Sequence, residues 1–597
     1  MQIAYKHKGL EAVLVAVKGL TSAMVVASFV LLFGFDKPLL HIQMLYAIQL
    51  ALLLVFIAGK AIRLLNARTK REFLLANWFE IPLLIGLATV LLGAGRWFGD
   101  PETVRHFSVG IYLVVEVLIK TCNICVNMAA SGKSPTRTLI TSFLVLIISG
   151  TGLLMLPRSS ATENLSFTDA LFTATSATCV TGLIVKDTGS DFSMMGQIII
   201  LTLIQLGGLG IIVFGVVFAL LLGQALSIRE SVAMQDLLSA RTLGRIGNMI
   251  AFIIVGTIVI EAIGAVIMFS MWDDVPGRIN NVQQQWFCSI FHSISAFCNA
   301  GFSLFSDSFV SYNKSWGIYA VICPLIVLGG LGFSVLYDLA GLTVERIKGF
   351  CRKHLQGRYR VCMDVPAPRP MQLQTKIVVS VSVILIVGGT LAILLLGHFT
   401  VDSSSEGNPG ILDALFQSIT ARTAGFNTVD ISALSPAARI IVILLMFVGG
   451  SPGSTAGGIK TVTLAVIIMT TITALRKRQE VEMFRRSIRI VVVGRAITVT
   501  LLFVAVLFVG AFALSVTERS SGISMSDVMF ETASALGTVG LSTLTTEQTA
   551  ALTSVGKLII IATMLIGRLG PLTLLAALTF NLKPARYNYP DEAIIVG

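Results

Sequence analysis

Four short segments of the chain repeat the same spacing between a phenylalanine and a glycine. The phenylalanine lies nine or ten residues before the glycine, and a leucine or phenylalanine follows each glycine directly. The four glycines are Gly182, Gly301, Gly425 and Gly540. Glycine adopts positive-φ conformations without steric cost, so successive carbonyl groups can point the same way. Rings of backbone carbonyls replace the hydration shell of a cation without fixed charge, and this is the chemistry the segments could perform.

The spacing of the segments indicates an internal repeat. Consecutive glycines are 119, 124 and 115 residues apart. Three segments carry an aspartate three residues before the phenylalanine, at Asp169, Asp413 and Asp527, and we expect each aspartate to cap a helix. Small residues for helix packing would explain one such glycine, but not four with shared flanks.

Each segment lies between two apolar blocks that are long enough to be membrane spans. The preceding blocks are 137–157, 248–271, 374–398 and 490–516, and the following ones are 195–223, 316–342, 436–474 and 556–581. About ten residues of helix cover only ~15 Å, half of the ~30 Å hydrocarbon core. We therefore predict half-length helices in re-entrant loops, which are tolerated only where they line a water-filled path. Four such loops would converge on one pseudo-fourfold axis with their partially negative helix ends towards the ion.

Composition places the chain in a lipid bilayer. Hydrophobic residues make up 55% and charged residues 13% of the 597, against about 25% charge in soluble domains. The apolar blocks do not alternate with period two, so the fold class we predict is an all-α polytopic membrane protein. The net charge of +12 is concentrated in 346–376 and 476–495, between apolar blocks. This distribution is typical of cytoplasmic loops and predicts no nucleic-acid partner.

Other chemistry has little support in the sequence. An intramembrane enzyme would need paired catalytic side chains at membrane depth, and no ATP-binding Gly-x-x-x-x-Gly-Lys motif is present. Cys122 and Cys125 lack the second pair that a zinc site requires, and no two histidines are placed to ligate a haem. We expect no catalytic residues and no covalently bound cofactor, with the cation as transported ligand.

Residues 131–597 resemble the Trk, Ktr and HKT superfamily of K⁺ transporters. The resemblance rests on TSATCVTGL, the four glycines, GGSPGSTAGGIKT (449–461), MLIGRLGPLT (564–573) and the tail YPDEAIIVG. It implies four helix–loop–helix repeats, K⁺ or Na⁺ transport, a homodimer and a plasma-membrane location. It further implies a soluble ring of nucleotide-binding regulatory subunits on the cytoplasmic face.

The resemblance also implies which carbonyls form a K⁺ selectivity filter. They belong to Val180, Thr181, Gly182, Asn299, Ala300, Gly301, Thr423, Ala424, Gly425, Thr538, Val539 and Gly540. Glycine at all four filter positions is similar to the K⁺-preferring members, because serine at the first position is associated with Na⁺. A Na⁺-permeable or Na⁺-coupled transporter of the same fold is the alternative, and channel-like and coupled flux use the same filter.

A gate is expected where the last apolar block of the third repeat is interrupted. Each glycine costs a helix about 1 kcal/mol and proline about 3, so the run 449–458 should not be helical. The resemblance implies a mobile intramembrane loop under the filter, and a static packing kink is the alternative. The predicted gate residues are Gly449, Gly450, Ser451, Gly453, Ser454, Gly457, Gly458 and Arg568.

Arg568 lies inside an otherwise apolar block. A charged residue at membrane depth is costly and is by default functional. The resemblance implies that it faces the pore below the filter, where its charge would raise the barrier to cations. An ion pair with Glu531 or Asp338 is the alternative. Further charges fall within apolar blocks and are expected to be interfacial or paired: Lys18, Glu80, Glu116, Lys120 and Glu261.

The chain divides into an N-terminal extension and four pore repeats. The extension is 1–130, and the repeats are 131–245, 246–345, 346–475 with the gate loop, and 476–597 with the C-terminal tail. Apolar stretches at 12–33, 42–66, 73–95 and 107–128 predict up to four extra helices. The fourth lacks an arginine at every third residue, which argues against a voltage sensor and leaves the extension without a predicted role.

Overall fold

The computed structural model describes most of the chain. The described residues are 6–35, 40–71, 73, 80–97, 101–130, 135–162, 165–210, 246–274, 279, 281–355, 370–400 and 410–578. The tail YPDEAIIVG, the end of the predicted block 195–223 and the middle of the basic segment 346–376 lie outside these residues.

The described part is almost entirely helical. The α-helices are α1 Lys8–Phe33, α2 Ile42–Asn66, α3 Glu80–Trp97, α4 Pro101–Ala130, α5 Pro135–Leu154, α6 Phe167–Cys179, α7 Met194–Leu209, α8 Ile246–Met268, α9 Val282–Cys298, α10 Trp316–Leu331, α11 Phe333–Leu355, α12 Leu373–Thr400, α13 Ile411–Thr420, α14 Pro436–Phe447, α15 Thr461–Leu475, α16 Ile490–Thr517, α17 Met525–Gly537, α18 Thr546–Ala550, α19 Ser554–Leu569 and α20 Pro571–Leu578. An antiparallel hairpin joins α15 to α16, with strands β1 Val481–Met483 and β2 Arg486–Ile488.

Membrane-spanning character agrees with the predicted fold class. Five of the described helices are long and apolar enough to cross a bilayer, and a sixth span results if α10 and α11 are counted as one. Those two helices were predicted as one block over 316–342, but they meet at an angle of 106°. Gly332, with φ of 86°, ends α10 because a helix cannot continue through a left-handed residue. Gly210 and Gly570 end α7 and α19 in the same way, with φ of 85° and 83°.

The N-terminal extension forms a bundle of α1 to α4 whose buried charges are paired. The carboxylate of Glu116, 1% exposed, lies 3.3 Å from Lys18 Nζ and also contacts Lys60 Nζ. Lys120 donates to the carbonyl of Lys18 at 3.1 Å. In the pore repeats, Gln205 donates to the carboxylate of Glu261 at 3.2 Å. Pairing of this kind is what allows charges to remain at membrane depth.

The four repeats share one arrangement of a long helix, a short pore helix and a second helix. The triplets are α5–α6–α7, α8–α9–α10, α12–α13–α14 and α16–α17–α19. The pore helices have 13, 17, 10 and 13 residues, too few to cross. The signature phenylalanine of each repeat is at most 1% exposed, so it fixes its pore helix in the core.

The repeats close into a ring through contacts between neighbours. The second helix of each repeat packs against the pore helix of the next one: α7 on α9, α10 on α13, α14 on α17, and α19 on α6. The last of these contacts joins the fourth repeat to the first. The pore helices therefore surround one common axis.

The predicted helix caps differ in one detail. Asp169, Asp413 and Asp527 are the third residues of α6, α13 and α17, and the N-caps are the residues three positions earlier. The Ser166 side chain accepts from the Asp169 amide, and Ser524 accepts from the Asp527 amide, each at 3.2 Å. The aspartates are therefore not the caps themselves: Asp169 and Asp527 accept from the hydroxyls of the N-cap serines, and Asp413 accepts from the N-cap amide of Gly410.

Candidate ion path

The backbone turns into a left-handed conformation directly after three of the pore helices, which frees the carbonyls that follow from helical hydrogen bonding. Val180, Asn299 and Thr538 follow α6, α9 and α17 with φ of 57°, 59° and 50°. The next amide in each case donates to a carbonyl five residues back, at 2.8, 2.8 and 2.9 Å. Left-handed conformations cost non-glycine residues energy and persist only where surrounding contacts impose them. Left-handed backbone at these non-glycine positions was not predicted, because valine, asparagine and threonine carry no pattern that indicates it.

The third segment reaches the same conformation by another route. It is one residue shorter between its phenylalanine and its glycine, and α13 ends at Thr420. Thr423 nevertheless has a φ of 78°, and the amide of Ala424 donates to the Thr420 carbonyl at 2.9 Å. All four segments therefore place a left-handed residue two positions before the glycine.

The four glycines lie side by side. A Cβ atom on Gly182 would lie 2.5 Å from the Ala300 carbonyl oxygen, and one on Gly301 would lie 2.8 Å from that of Ala424. In the same way a Cβ atom on Gly425 would meet the Val539 carbonyl oxygen, and one on Gly540 that of Thr181. The order of contacts is first to second to third to fourth and back to first. The glycine and the residue before it in all four segments thus form one closed ring, and the other four predicted residues, Val180, Asn299, Thr423 and Thr538, directly precede them in the chain.

Hydroxyl side chains that were not predicted hold this ring from behind. Ser176 and Ser534 accept from the amides of Gly182 and Gly540, both at 3.1 Å. At the equivalent positions of the other two repeats, Ser295 and Thr420 donate to the carbonyl that follows the glycine, both at 2.8 Å. These hydroxyls could have been predicted from the sequence, because each repeat has a serine or threonine five or six positions before its glycine.

In the second and fourth repeats, the residue after the signature phenylalanine supports the chain beyond the glycine. Glu531 accepts from the Ser542 hydroxyl at 2.5 Å and from the Thr543 amide at 3.1 Å. His292 occupies the equivalent position in the second repeat, and its Nε2 accepts from the Leu304 amide at 3.3 Å. Glu531 is therefore engaged at the mouth of the ring and is not a partner of Arg568.

The run 449–458 is an irregular loop between α14 and α15. Its ends are joined, because the Gly449 amide donates to the Ile459 carbonyl at 3.0 Å. Ser451 donates to the Gly330 carbonyl at the end of α10 through its amide at 3.0 Å and its hydroxyl at 2.7 Å. A Cβ atom on Gly457 would collide with the Thr538 side chain, so the loop lies directly against the ring.

Arg568 connects this loop to the first repeat. Its guanidinium contacts the Thr455 carbonyl and donates to the carbonyls of Gly207 at 2.6 Å and Gly208 at 3.1 Å. The alternative ion pair with Asp338 does not form, since Asp338 accepts from the Thr375 hydroxyl at 2.7 Å. The positive charge of Arg568 is thus stabilised by backbone carbonyls of the loop and of α7.

Two further cations bind the loop and were missed in the sequence. Lys460 donates to the carbonyls of Ala456 at 2.7 Å and Gly457 at 3.3 Å. Arg422, inside the third filter segment, lies behind the ring and donates to the Gly449 carbonyl at 3.4 Å. Lys460 lies in the motif GGSPGSTAGGIKT and Arg422 lies just before Gly425, and a basic residue among small and apolar ones could have indicated both.

Glycines of three second helices allow close packing against the pore helices. A Cβ atom on Gly207, Gly329 or Gly567 would collide with the carbonyl oxygen of Thr178, Phe297 or Leu536 respectively. Each of these carbonyls lies two residues before the left-handed residue of its repeat. The glycines therefore seat the second helices on the last turn of the pore helices, immediately behind the ring.

Comparison with known proteins identifies the family. Residues 111–587 match the TrkH family model, described as a cation transport protein. The chain belongs to the TrkH family. It is 37% identical over 474 residues to the Ktr system potassium uptake protein B of Bacillus subtilis, covering 78% of this chain and 97% of that protein. It is 34% identical over 479 residues to the potassium/sodium uptake protein NtpJ of Enterococcus hirae, again covering 78% of this chain and 97% of the relative.

The fold of this chain matches a solved structure of the family. The potassium transporter TrkH from Vibrio parahaemolyticus matches 85% of this chain and 97% of its own, with a TM-score of 0.56 and 20% identity. The predicted superfamily and the all-α polytopic membrane fold are therefore confirmed. Membership in a family of cation transport proteins also confirms the expectation of a transporter rather than an enzyme.

Proposed function

We propose that this TrkH family member takes up K⁺ across the plasma membrane through the carbonyl ring of its four pore segments. The closed ring formed by Gly182, Gly301, Gly425 and Gly540, each two residues after a left-handed residue, carries the proposal. A ring of carbonyl oxygens suits a monovalent cation, because it replaces hydration without a fixed charge. The relative from Bacillus subtilis is named a potassium uptake protein, which supports K⁺ as the substrate.

The orientation follows from charge. Arg478, Arg486 and Arg489 lie in or beside the hairpin between α15 and α16, in one of the two basic segments. Under the positive-inside rule this basic face is cytoplasmic. The pore helices enter from the opposite face, which is then the outer face, and the loop and Arg568 lie on the cytoplasmic side of the ring.

We expect K⁺-selective flux in proteoliposomes that contain the purified chain. Reversal potentials measured under opposed K⁺ and Na⁺ gradients test this, because a carbonyl ring matched to K⁺ shifts the reversal potential towards the K⁺ equilibrium potential. A Na⁺-permeable or Na⁺-coupled transporter is the second candidate, since one relative is named a potassium/sodium uptake protein. Equal permeability to both ions, or K⁺ flux only when Na⁺ is present, would favour that candidate.

The gate of this path is the loop 449–458 together with Arg568. Arg568, Lys460 and Arg422 each donate to loop carbonyls, so cationic side chains and backbone hold the loop against the ring. A fixed positive charge beside a low-dielectric path opposes the passage of cations. The loop is thus a steric barrier and Arg568 an electrostatic one.

A separate nucleotide-binding ring and a second copy of the chain complete the proposed assembly. The cytoplasmic hairpin carries Phe484, 51% exposed, and the basic residues Arg485 and Arg486, which gives an acidic soluble subunit a surface to bind. The name "Ktr system" supports an assembly of several components for relatives of this chain. Native mass spectrometry of the purified chain, with a dimer expected, tests the homodimer.

We predict that flux through the purified chain alone does not respond to nucleotides. The sequence lacks a phosphate-binding motif of its own, so a response should require the soluble subunit. Flux in proteoliposomes is measured with and without ATP or ADP, before and after the soluble fraction recovered by pull-down is added. Nucleotide-dependent flux of the chain by itself would overturn the regulatory part of the proposal.

A further inference from the structure

The outer ends of the pore helices are joined to neighbouring repeats by side chains at equivalent positions. The fourth residue of the second helix in each repeat is Gln197, Tyr319, Arg439 or Lys557. The third residue of the pore helix in three repeats is Asp169, Asp413 or Asp527. The ring packing brings each second helix beside the pore helix of the following repeat.

Three of these pairs make direct contact. Lys557 Nζ lies 2.7 Å from Asp169 Oδ1, which joins the fourth repeat to the first. The Tyr319 hydroxyl donates to Asp413 Oδ1 at 2.5 Å, which joins the second repeat to the third. Arg439 lies 3.6 Å from Asp527 Oδ1, which joins the third repeat to the fourth. We call these three contacts the inter-repeat clasps.

The other oxygen of each aspartate is used within its own pore helix. Asp169 Oδ2 accepts from the Ser166 hydroxyl at 2.7 Å, and Asp527 Oδ2 accepts from the Ser524 hydroxyl at 2.6 Å. Asp413 Oδ2 accepts from the Gly410 amide at 3.3 Å. One carboxylate therefore fixes the start of a pore helix and ties that start to the neighbouring repeat, which leaves the helix little freedom to slide.

The inter-repeat clasps are partly buried, so solvent screens them less and they can hold the pore helices in place. The Lys557 and Asp169 side chains are 8% and 15% exposed, and those of Arg439 and Asp527 are 25% and 22% exposed. Fully exposed ion pairs contribute little because water and salt screen them. A partly buried pair with a second bond on the same carboxylate holds its geometry better.

The junction between the first and second repeats is built differently. The pore helix α9 begins one turn earlier, at Val282, and Cys288 stands where the other repeats have aspartate. Gln197 instead donates to the carbonyl oxygens of Thr188 at 3.2 Å and Phe192 at 3.0 Å, within its own repeat. In the described residues this junction therefore has no clasp between the equivalent positions.

We propose that the clasp residues Tyr319, Arg439 and Lys557 are positioning residues for the selectivity ring. A pore helix carries its carbonyl segment at its C-terminal end, so a shift at its outer end changes the distances within the ring. Selectivity based on carbonyl distance or field strength depends on those positions. This inference rests on the proposed K⁺ uptake through the ring and assigns part of its selectivity to residues that do not touch the ion.

The test uses variants that remove a clasp and leave the aspartate in place as a capping partner. The variants are Y319F, R439Q and K557Q, and Y337F on α11 is the matched tyrosine control. Reversal potentials in proteoliposomes give the K⁺/Na⁺ permeability ratio, and a thermal unfolding midpoint is measured on the same preparations. We expect the ratio to fall roughly three- to tenfold in each clasp variant, because only part of the energy of the lost hydrogen bond or ion pair is transmitted to the ring. Y337F should keep the wild-type ratio.

The outcomes separate this inference from the proposed function. A wild-type chain without K⁺-selective flux overturns the proposed function and the clasps with it. A selective wild type whose three clasp variants keep the same ratio overturns the clasps alone. A lower unfolding midpoint with an unchanged ratio would make the contacts merely stabilising and would also overturn the inference.

Discussion

Replacement of Gly182 by serine is expected to lower the K⁺/Na⁺ permeability ratio about tenfold and to reduce K⁺ flux. Gly182 has a φ of 90°, and a Cβ atom there would lie 2.5 Å from the Ala300 carbonyl oxygen. A left-handed backbone costs a non-glycine residue roughly 1–2 kcal/mol. Each ~1.4 kcal/mol changes a rate about tenfold. The ring must therefore open at the junction between the first and second segments, which alters the distances on which coordination depends.

The measurement is the reversal potential of proteoliposomes at matched protein content. G152S is the control, because Gly152 lies in α5 with a negative φ and nothing within 4 Å of its missing side chain. We expect G152S to keep the wild-type ratio. A well-folded G182S protein with the wild-type ratio would remove Gly182 from the filter.

Much of the architecture could be predicted because it depends on local pattern. Apolar blocks fix the spans, and the shared spacing around Gly182, Gly301, Gly425 and Gly540 fixes the repeat. The shortness of the segments implies half-length helices, and the structure has pore helices of 10 to 17 residues. Each of these features follows from residues that are close together in the chain.

The features that were missed depend on contacts between distant residues. Ser451 bonds to a carbonyl 121 residues away, and Arg568 to one 361 residues away. Backbone carbonyls are present at every position, so no pattern of residue types identifies which of them will accept from Arg568. The choice of partner is a consequence of how the ring closes.

The bend after α10 shows a different limit of prediction from the sequence. The apolar pattern continues smoothly through 316–342, and only the left-handed Gly332 divides it. Glycine is also common in straight membrane helices, so its presence alone predicts no bend. The bend becomes necessary because Ser451 and Gly453 of the loop bond to the backbone on either side of Gly332.

The gate makes the second large prediction. R568Q is expected to raise K⁺ flux about tenfold or more, because it removes a positive charge beside the path and weakens the hold on the Thr455 carbonyl. At an effective dielectric constant of about 20, two unit charges ~4 Å apart interact by about 4 kcal/mol. The carbonyls of Gly207 and Gly208 screen the charge of Arg568 and reduce this energy. The expected increase in flux of about tenfold therefore uses only part of the ~4 kcal/mol. The K⁺/Na⁺ ratio should not change, since the ring itself is untouched.

R478Q is the matched control. Arg478 is 58% exposed and pairs with Glu482 on the basic face, so the same substitution there should leave the flux of the purified chain unaltered. Shortening the loop by removal of Gly453 and Ser454 should also raise flux, because it withdraws the steric barrier. Their removal deletes the Gly453 carbonyl that accepts from the Phe333 amide, but Ser451 and Thr455, which both bond to α10, stay in the chain.

The combination of R568Q with the shortened loop distinguishes a gate from a packing feature. Arg568 contacts the Thr455 carbonyl of the loop, so both changes weaken the same barrier. The combined gain in flux should therefore be smaller than the product of the single gains. Initial rates of K⁺ flux are measured at equal protein in the membrane for the wild type, the two single variants and the combined variant, which together form a double-mutant cycle. Single variants with flux at or below the wild type would instead make Arg568 a structural tie between α19 and α7, and the loop a static kink.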